Sequence, residues 1–256
     1  IINIVIIAFA LLFNSICMRY RNGYLNFAIL MCGRFSLTQT EADIEARFGA
    51  KFYSNDLVKR YNVAPSQLAL VITDANPHEL QLFKWGLIPS WAKDGSMGNK
   101  MINARSETLR EKPSFRNLIR KRRCLVIADG FYEWRPLDHK KKQPVRITLN
   151  NSRLFAMAGL WDEWTDPSSG ELVDTFTIIT TPANDLVRPI HDRMPVILHA
   201  NDEQKWLSPT TIDQDIDRLL ISFPSEEMNL YDVSDKVNSP MNDTPDLILP
   251  QQNLFT

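Results

Sequence analysis

Cysteine is scarce in this sequence. Cys17, Cys32 and Cys124 are the 3 cysteines among 256 residues, and no two stand in a Cys-x-x-Cys spacing. This argues against a disulfide framework and against a zinc cage, and makes a reducing, intracellular setting the expectation. Glycine is sparse as well, 9 residues, with no phosphate-cradling glycine loop and no dinucleotide fingerprint among them. No internal repeat and no low-complexity tract appears, which excludes collagen-like and solenoid architectures. Neither sign of charge dominates. Lys and Arg number 29 against 30 Asp and Glu, a formal charge of -1, so no global field draws the chain to nucleic acid. What the sequence does have is apolar material: 44% hydrophobic residues, ample for a large folded core and too many for a disordered chain.

The first thirty residues differ from the rest. Ile1 to Cys17 is almost wholly apolar, Arg19 and Arg21 follow, and no acidic residue precedes Met31. A signal peptide would carry a basic stretch before the apolar run and a small-residue cleavage site after it, and this segment has neither. At 17 residues the run reaches the short limit of a membrane span. Three readings stand: sequence translated upstream of a start at Met31, a membrane anchor, or a cleaved leader. Residues 1–30 are accordingly read as a leader and 31–256 as one domain. Without residues 1–31 the balance is 27 basic against 30 acidic, or -3.

From Met31 onward the pattern is mixed. Thr40 to Asp43 forms a capping box that opens a short helix, with Ile44 and Phe48 inward and Gly49 as its stop. Gln67–Thr73 and Glu79–Trp85 read as strands joined by a turn at Ala75-Asn76-Pro77. Pro113–Arg122 reads as a basic helix. Cys124–Trp134, Val145–Leu149, Leu154–Trp161 and Phe176–Thr181 are strand-like runs of β-branched and aromatic residues. Asp202–Leu207 and Ile212–Ser222 read as helices, and Lys93 to Lys100 as a mobile loop. Strands without regular helical crossovers predict an α+β fold, and no Gly/Ser linker divides it.

Four short segments hold most of the polar residues set in apolar surroundings: Met31-Cys32-Gly33-Arg34-Phe35, Asn103-Ala104-Arg105-Ser106-Glu107, Gly130-Phe131-Tyr132-Glu133-Trp134, and His191-Asp192-Arg193-Met194-Pro195. With Trp85-Gly86-Leu87-Ile88-Pro89-Ser90-Trp91 between them, in this order, the chain resembles the SRAP family (SOS response-associated peptidase; abasic-site processing proteins) from Met31 to about Pro250. The resemblance implies a single domain on a strongly curved, largely antiparallel, barrel-like sheet with short flanking helices. It also implies action on abasic sites in single-stranded DNA, in a bacterial cytoplasm, with no cofactor, metal or membrane. In that family the initiator Met is lost and the exposed cysteine forms a covalent thiazolidine with the ring-opened sugar aldehyde, so Cys32 is the expected nucleophile. Strand cleavage by an abasic-site lyase activity, crosslink self-reversal and self-processing accompany it.

The chemistry suits an N-terminal cysteine. Only a neutral amine attacks an aldehyde. A lysine amine, with a pKa of about 10.4, is neutral roughly one time in a thousand at pH 7.5, whereas an α-amine at about 7.7–8.0 is neutral in roughly a third of molecules. The neighbouring thiol then closes the imine into a five-membered ring at high effective molarity. An isolated cysteine reads as a small buried hydrophobe. Met31 and Gly33 shift the balance, since a small second residue permits Met removal and a tight backbone. Cys124, in an apolar strand, reads as inert core.

Glu133 stands between Tyr132 and Trp134 at the end of an apolar strand, where the charged form of a carboxyl is disfavoured; by resemblance it assists amine attack and proton transfer. His191 belongs to the residue type that shuttles protons near neutrality, and the β-elimination of strand cleavage needs such a group. Asn103 offers donor and acceptor, and in the family positions the cysteine and the opened sugar. An exposed strand-end carboxylate, a structural histidine and a helix cap are the plainer readings of the same three residues. His78, His139 and His199 are given no role.

A net-negative chain must grip DNA through a local groove. Arg34, Arg105 and Arg193 each lie within two residues of a proposed reactive group, and their guanidinium forks suit phosphate. Trp91 and Trp134 suit stacking on bases of a single strand. Asn62 and Pro65, in Asn62-Val63-Ala64-Pro65, match a further family segment near that wedge. Trp85 reads as core. Arg120-Lys121-Arg122-Arg123 and Lys140-Lys141-Lys142 read as solvated faces. Two competing functions remain at this point, a non-catalytic single-strand-binding module and a general cysteine peptidase using Cys32 and His191.

Overall fold

The computed structural model describes residues 33–53, 57–137, 141–150 and 153–251. The chain opens with strand β1 (Phe35–Leu37), helix α1 (Glu41–Phe48) and the two-residue strand β2 (Lys51–Phe52). Strands β3 (Arg60–Val63), β4 (Leu68–Thr73), β5 (Glu79–Trp85) and β6 (Asn103–Arg105) follow, then the one-turn helix α2 (Leu118–Lys121). Next come β7 (Arg123–Ala128), β8 (Gly130–Pro136), β9 (Lys142–Leu149), β10 (Phe155–Thr165) and β11 (Leu172–Pro182). The last elements are β12 (Arg193–Pro195), β13 (Ile197–Leu198), α3 (Ala200–Leu207), α4 (Asp213–Leu219) and β14 (Met228–Asp232).

Strands β11, β10, β7, β4 and β5 neighbour one another in that order, and β5 returns to β11 through Thr175–Lys84 and Phe176–Trp85, so the ring closes. The expected α+β fold with a barrel-like, largely antiparallel core is what forms. Period-two alternation explains why β7 is apolar along its whole length. Cys124, Val126 and Ala128 point to one core, and Leu125 and Ile127 to another. The first core fills the ring with Val71, Phe83, Trp85, Met157, Trp161, Phe176 and Ile178. Phe83 and Trp161, on strands that are not neighbours, meet with ring centroids 5.6 Å apart. Gly159 is required where β10 crosses β7, because a Cβ there would lie 2.8 Å from Cys124 Sγ. The second core lies outside the ring, under Ile44 of α1, Leu118 and Ile119 of α2, Trp206 of α3 and Ile216 of α4.

A second sheet, ordered β14-β9-β8-β1-β3, contributes Phe35, Val63, Phe131, Val145 and Ile147 to the first core. The run expected as one strand from Cys124 to Trp134 is therefore two strands, one in each sheet, and the chain changes sheets at Asp129. That residue is buried. Its carboxylate accepts Ser36 Oγ (2.6 Å), the backbone N–H and hydroxyl of Thr38 (both 2.6 Å), and the Arg146 guanidinium (2.9 Å). Arg146 also donates to Tyr231 Oη at 2.7 Å. Burial works against the Arg146 charge, but Asp129 and Tyr231 outweigh it and hold its pKa above the ordinary value. Gly130 must be glycine, since a Cβ would lie 2.6 Å from Arg146 Nε.

Several local expectations need correction. The basic helix expected over Pro113–Arg122 is helical only at α2, with turns before it, and buried Arg123 takes the Ile119 carbonyl (2.8 Å) at its end. Arg123 is not on a solvated face. It also donates to the Trp206 (2.5 Å) and Ser208 (2.6 Å) carbonyls, at the end of α3. Arg120 and Arg122 pair with Asp213 and Glu163. Lys93 to Lys100, expected as a loop, holds a 3-10 helix at Gly95–Lys100 capped by Asp94, with Gly98 packed on Gly86 so closely that a Cβ on Gly86 would sit 2.6 Å from the Gly98 carbonyl. The capped helix at Thr40, with Gly49 at φ 64° as its stop, is α1 as expected. Among the described residues no helix is long and apolar enough to cross a membrane.

Removing the Asp129 carboxylate strands a buried guanidinium. Asp129→Ala should cost about 3–5 kcal/mol, read as a lowered urea midpoint, with Asp129→Asn losing less.

Candidate functional site

The β1–β8 ladder sets the geometry. Ser36 pairs with Gly130 and Phe35 with Phe131, and the Tyr132 N–H then donates to the Arg34 carbonyl at 3.0 Å. Gly33, the first described residue, thus stands level with Glu133. Cys32 lies outside the described residues. Strand alternation turns Phe131 and Glu133 to the core shared by the two sheets, and leaves Glu133 1% exposed. Tyr132 turns the other way, packs with Val233, Val237 and Leu247, and donates its hydroxyl to the Tyr61 carbonyl at 2.6 Å. Burial pushes its phenol pKa up.

Asn103 begins β6, which runs parallel to β11 in register with Ile178, just beyond the point where β5 leaves that strand. Trp85 supports it from below. Its indole N–H donates to the Ile102 carbonyl (2.9 Å), while its ring lies 5.1 Å from that of Phe35 and stacks on Phe176. The expectation that Trp85 is core is met. His191 lies on the turn before β12, with its own N–H on the Val187 carbonyl at 3.0 Å. Its Nδ1 accepts the Arg193 backbone N–H at 3.0 Å. The Asp192 carboxylate lies 2.9 Å from the same nitrogen, a contact that becomes an ion pair only when the imidazole is protonated. Phe35, Ile102, Phe131 and Ile190, each beside one of the four motif segments or within it, belong to one buried cluster. The segments that carry Gly33, Asn103, Glu133 and His191 therefore all border one core.

The residues expected to grip DNA divide into two groups. Arg34, Asn62 and Arg193 face inward. Arg34 donates to Asn62 Oδ1 (2.9 Å) and to the carbonyls of Val237 (2.7 Å) and Asn238 (3.2 Å). Burial lowers its pKa. Asn62 is fully buried and its amide reaches the carbonyls of Val237, Ser239 and Asn242 at 3.2, 3.0 and 2.8 Å. Arg193 is buried against Glu107 and the Thr180 carbonyl (2.5 Å). Trp134 is half-buried, with its indole N–H on Asn238 Oδ1 (2.6 Å) and the Arg34 guanidinium 6.0 Å from its ring centre. Pro65 is half-buried, before Ser66 at φ 70°. Arg105 and Trp91 face solvent, Trp91 at 59% exposure. Trp91 sits on a loop fixed on both sides: Asp162 accepts the Ser90 N–H (2.8 Å) and Trp164 donates to the Ala92 carbonyl (2.9 Å).

Asp129 and Asp162 were not singled out in the sequence, and Glu107 was noted only as the last residue of a motif segment. An acidic residue within or beside an otherwise apolar strand was the signal available for Asp129 and Asp162. Among the described residues no group of three or more His, Cys, Asp or Glu side chains could hold a metal ion.

The chain that carries these segments has relatives. Residues 31–240 match the model of the SOS response associated peptidase (SRAP) family. The chain belongs to that family. It is 49% identical over 222 residues to the abasic site processing protein YoqW of Bacillus subtilis, covering 85% of this chain and 99% of the relative. It is 32% identical over 260 residues to the abasic site processing protein HMCES of Xenopus tropicalis, covering 84% and 77%. A crystal structure of a protein from Bacteroides thetaiotaomicron superposes with a TM-score of 0.79 at 34% identity, over 86% of this chain and all of the other.

Asn62 holds the 237–242 turn with three bonds. Asn62→Ala should destabilise the fold by about 1–3 kcal/mol and speed proteolytic cleavage near Met241, which is 88% exposed.

Proposed function

We propose that this chain processes abasic sites in DNA, binding the single-stranded form and joining it covalently through Cys32. The observation that carries the reading is the strand register that sets Gly33 level with buried Glu133, on the core that also anchors the Asn103 and His191 segments. Cys32 directly precedes Gly33 in the sequence, which favours it as the attachment point. The printed names of the relatives favour the same substrate.

The reaction requires a free α-amine on Cys32, so Met31 and everything before it must be removed; the functional unit runs from Cys32, and self-processing can supply the cut. The neutral amine adds to the aldehyde of the ring-opened sugar, and loss of water gives an imine. The Cys32 thiol then adds to the imine carbon, its proton passes to nitrogen, and the thiazolidine ring closes. Glu133 acts as the proton acceptor and donor in these transfers. Asn103 orients the sugar oxygens, and His191 moves protons at the sugar, including the one abstracted in β-elimination. Reversal of the same steps releases the DNA. Trp91 and Arg105, the outward-facing members of the predicted DNA set, make the first contact with base and phosphate, as befits a protein of the nucleoid.

Denaturing electrophoresis with single-stranded DNA carrying one abasic site tests this reading. A slow-migrating band should form with wild type whose mass begins at Cys32, and should disappear with Cys32→Ala. An equal band in the variant, or activity from protein still carrying Met31, would exclude the cysteine linkage.

A further inference from the structure

Strands β10 and β11 outrun the ring they help to close. The last β10 residue opposite β7 is Leu160, facing Arg123, and the first β11 residue opposite β5 is Thr175. Beyond that point Glu163, Trp164 and Thr165 pair only with Asp174, Val173 and Leu172, in a hairpin that stands off the barrel. Yet Trp164 is buried. It forms a small core of its own with Ile88 and Ala92, against which Met97 and Val173 pack, and none of these residues belongs to the two cores of the barrel.

What this small core holds is the excursion between β5 and β6. Its neck is closed where the Gly86 N–H donates to the Phe176 carbonyl (2.8 Å) and the Leu87 N–H to the Met101 carbonyl (3.1 Å). Between the two ends of the excursion, β10 and β11 fix its backbone at three points. Thr175 Oγ1 accepts the Ile88 N–H (2.9 Å), the Asp162 carboxylate accepts the Ser90 N–H (2.8 Å), and the Trp164 indole donates to the Ala92 carbonyl (2.9 Å). The Ala92 N–H turns back to the Pro89 carbonyl at 2.8 Å, and Gly95 packs on the Trp164 ring, where a Cβ would already stand in contact at 3.6 Å. Trp91 lies between the last two anchors and is the exposed member of the turn. The same segment runs on through Met101 into Asn103.

An indole on a slack loop must give up backbone and side-chain freedom when a base stacks on it, and that cost is subtracted from affinity. Here the backbone is ordered before DNA arrives. We infer that Asp162 and Trp164 are positioning residues for DNA: the hairpin that carries them braces the Trp91 turn, so that the indole meets a single strand already in place. The inference rests on the reading that Trp91 contacts the bases of single-stranded DNA.

Two measurements test it. In 15N relaxation of the free protein, the order parameter of the Trp91 N–H should lie near 0.85 in wild type, as for rigid backbone, and drop below about 0.6 in Asp162→Ala. Asp162→Asn, which retains an oxygen for the Ser90 N–H, should recover part of the loss. Trp164→Phe, which keeps a ring in the small core and gives up the indole N–H, carries the same test if the alanine variant folds poorly. Fluorescence anisotropy with an undamaged, labelled oligothymidylate should show Asp162→Ala binding about fivefold more weakly, with Asp162→Asn in between. Added to Trp91→Ala, Asp162→Ala should weaken binding no further. A Trp91 N–H that stays rigid in both Asp162→Ala and Trp164→Phe overturns the inference. So does a loss of affinity from Asp162→Ala that is undiminished in the Trp91→Ala background, because the effect would then bypass the indole. Trp91→Ala binding as tightly as wild type overturns it together with the reading of Trp91. Absence of crosslinking, with these binding results intact, would sink the covalent reading alone.

Discussion

The ion pair of Asp129 and Arg146 is the constraint on which the architecture turns. It stands where the chain leaves the barrel for the second sheet, and four donors converge on the one carboxylate. Of the residues it holds, Ser36 belongs to the short strand that follows Gly33 and Thr38 comes directly after it. A three-residue strand cannot fix its own register by hydrogen bonding alone. A charge buried with its donors can, because any slip by one residue would leave both ions unpaired in the interior. The level of Gly33 against Glu133 follows from this interaction two strands away.

The barrel was legible from residue patterns where they were long. Leu68–Thr73, Glu79–Trp85 and the run from Phe155 carry enough β-branched and aromatic residues to show themselves, and α1 announces both its ends through Thr40 and Gly49. The short strands at Phe35, Arg60, Asn103 and Arg193 were invisible, since three or four residues with a polar member have no period to read. They are also the strands that carry or adjoin the motifs. What located the site in the sequence was the order of the four segments. What the sequence could not show is that two sheets share one core, to which Ile102, Phe131 and Ile190 all belong.

Arginines next to reactive groups were read as phosphate ligands, and the structure divides them. Arg105 faces solvent. Arg34 and Arg193 turn inward to carbonyls, an amide and a carboxylate of the protein itself, with Arg193 Nε buried and unpartnered among the described residues. Proximity in sequence says that a guanidinium is near a site; only the fold says which way it points. Trp85 and Trp91 make the same point in aromatic form. Six residues apart, one is sealed between Phe35 and Phe176, and the other is held outward on a loop pinned at Ser90 and Ala92.

Arg34 closes on Val237 and Asn238, more than two hundred residues further along. Such a contact cannot exist while the protein is being made. The opening strand leaves the ribosome early, but its guanidinium finds these carbonyls only after Val237 and Asn238 have emerged. A product that stops short of Val237 would lack that support beside Gly33. The geometry next to the first motif thus waits on the segment around Val237, which must be synthesised before that corner of the molecule takes its working shape.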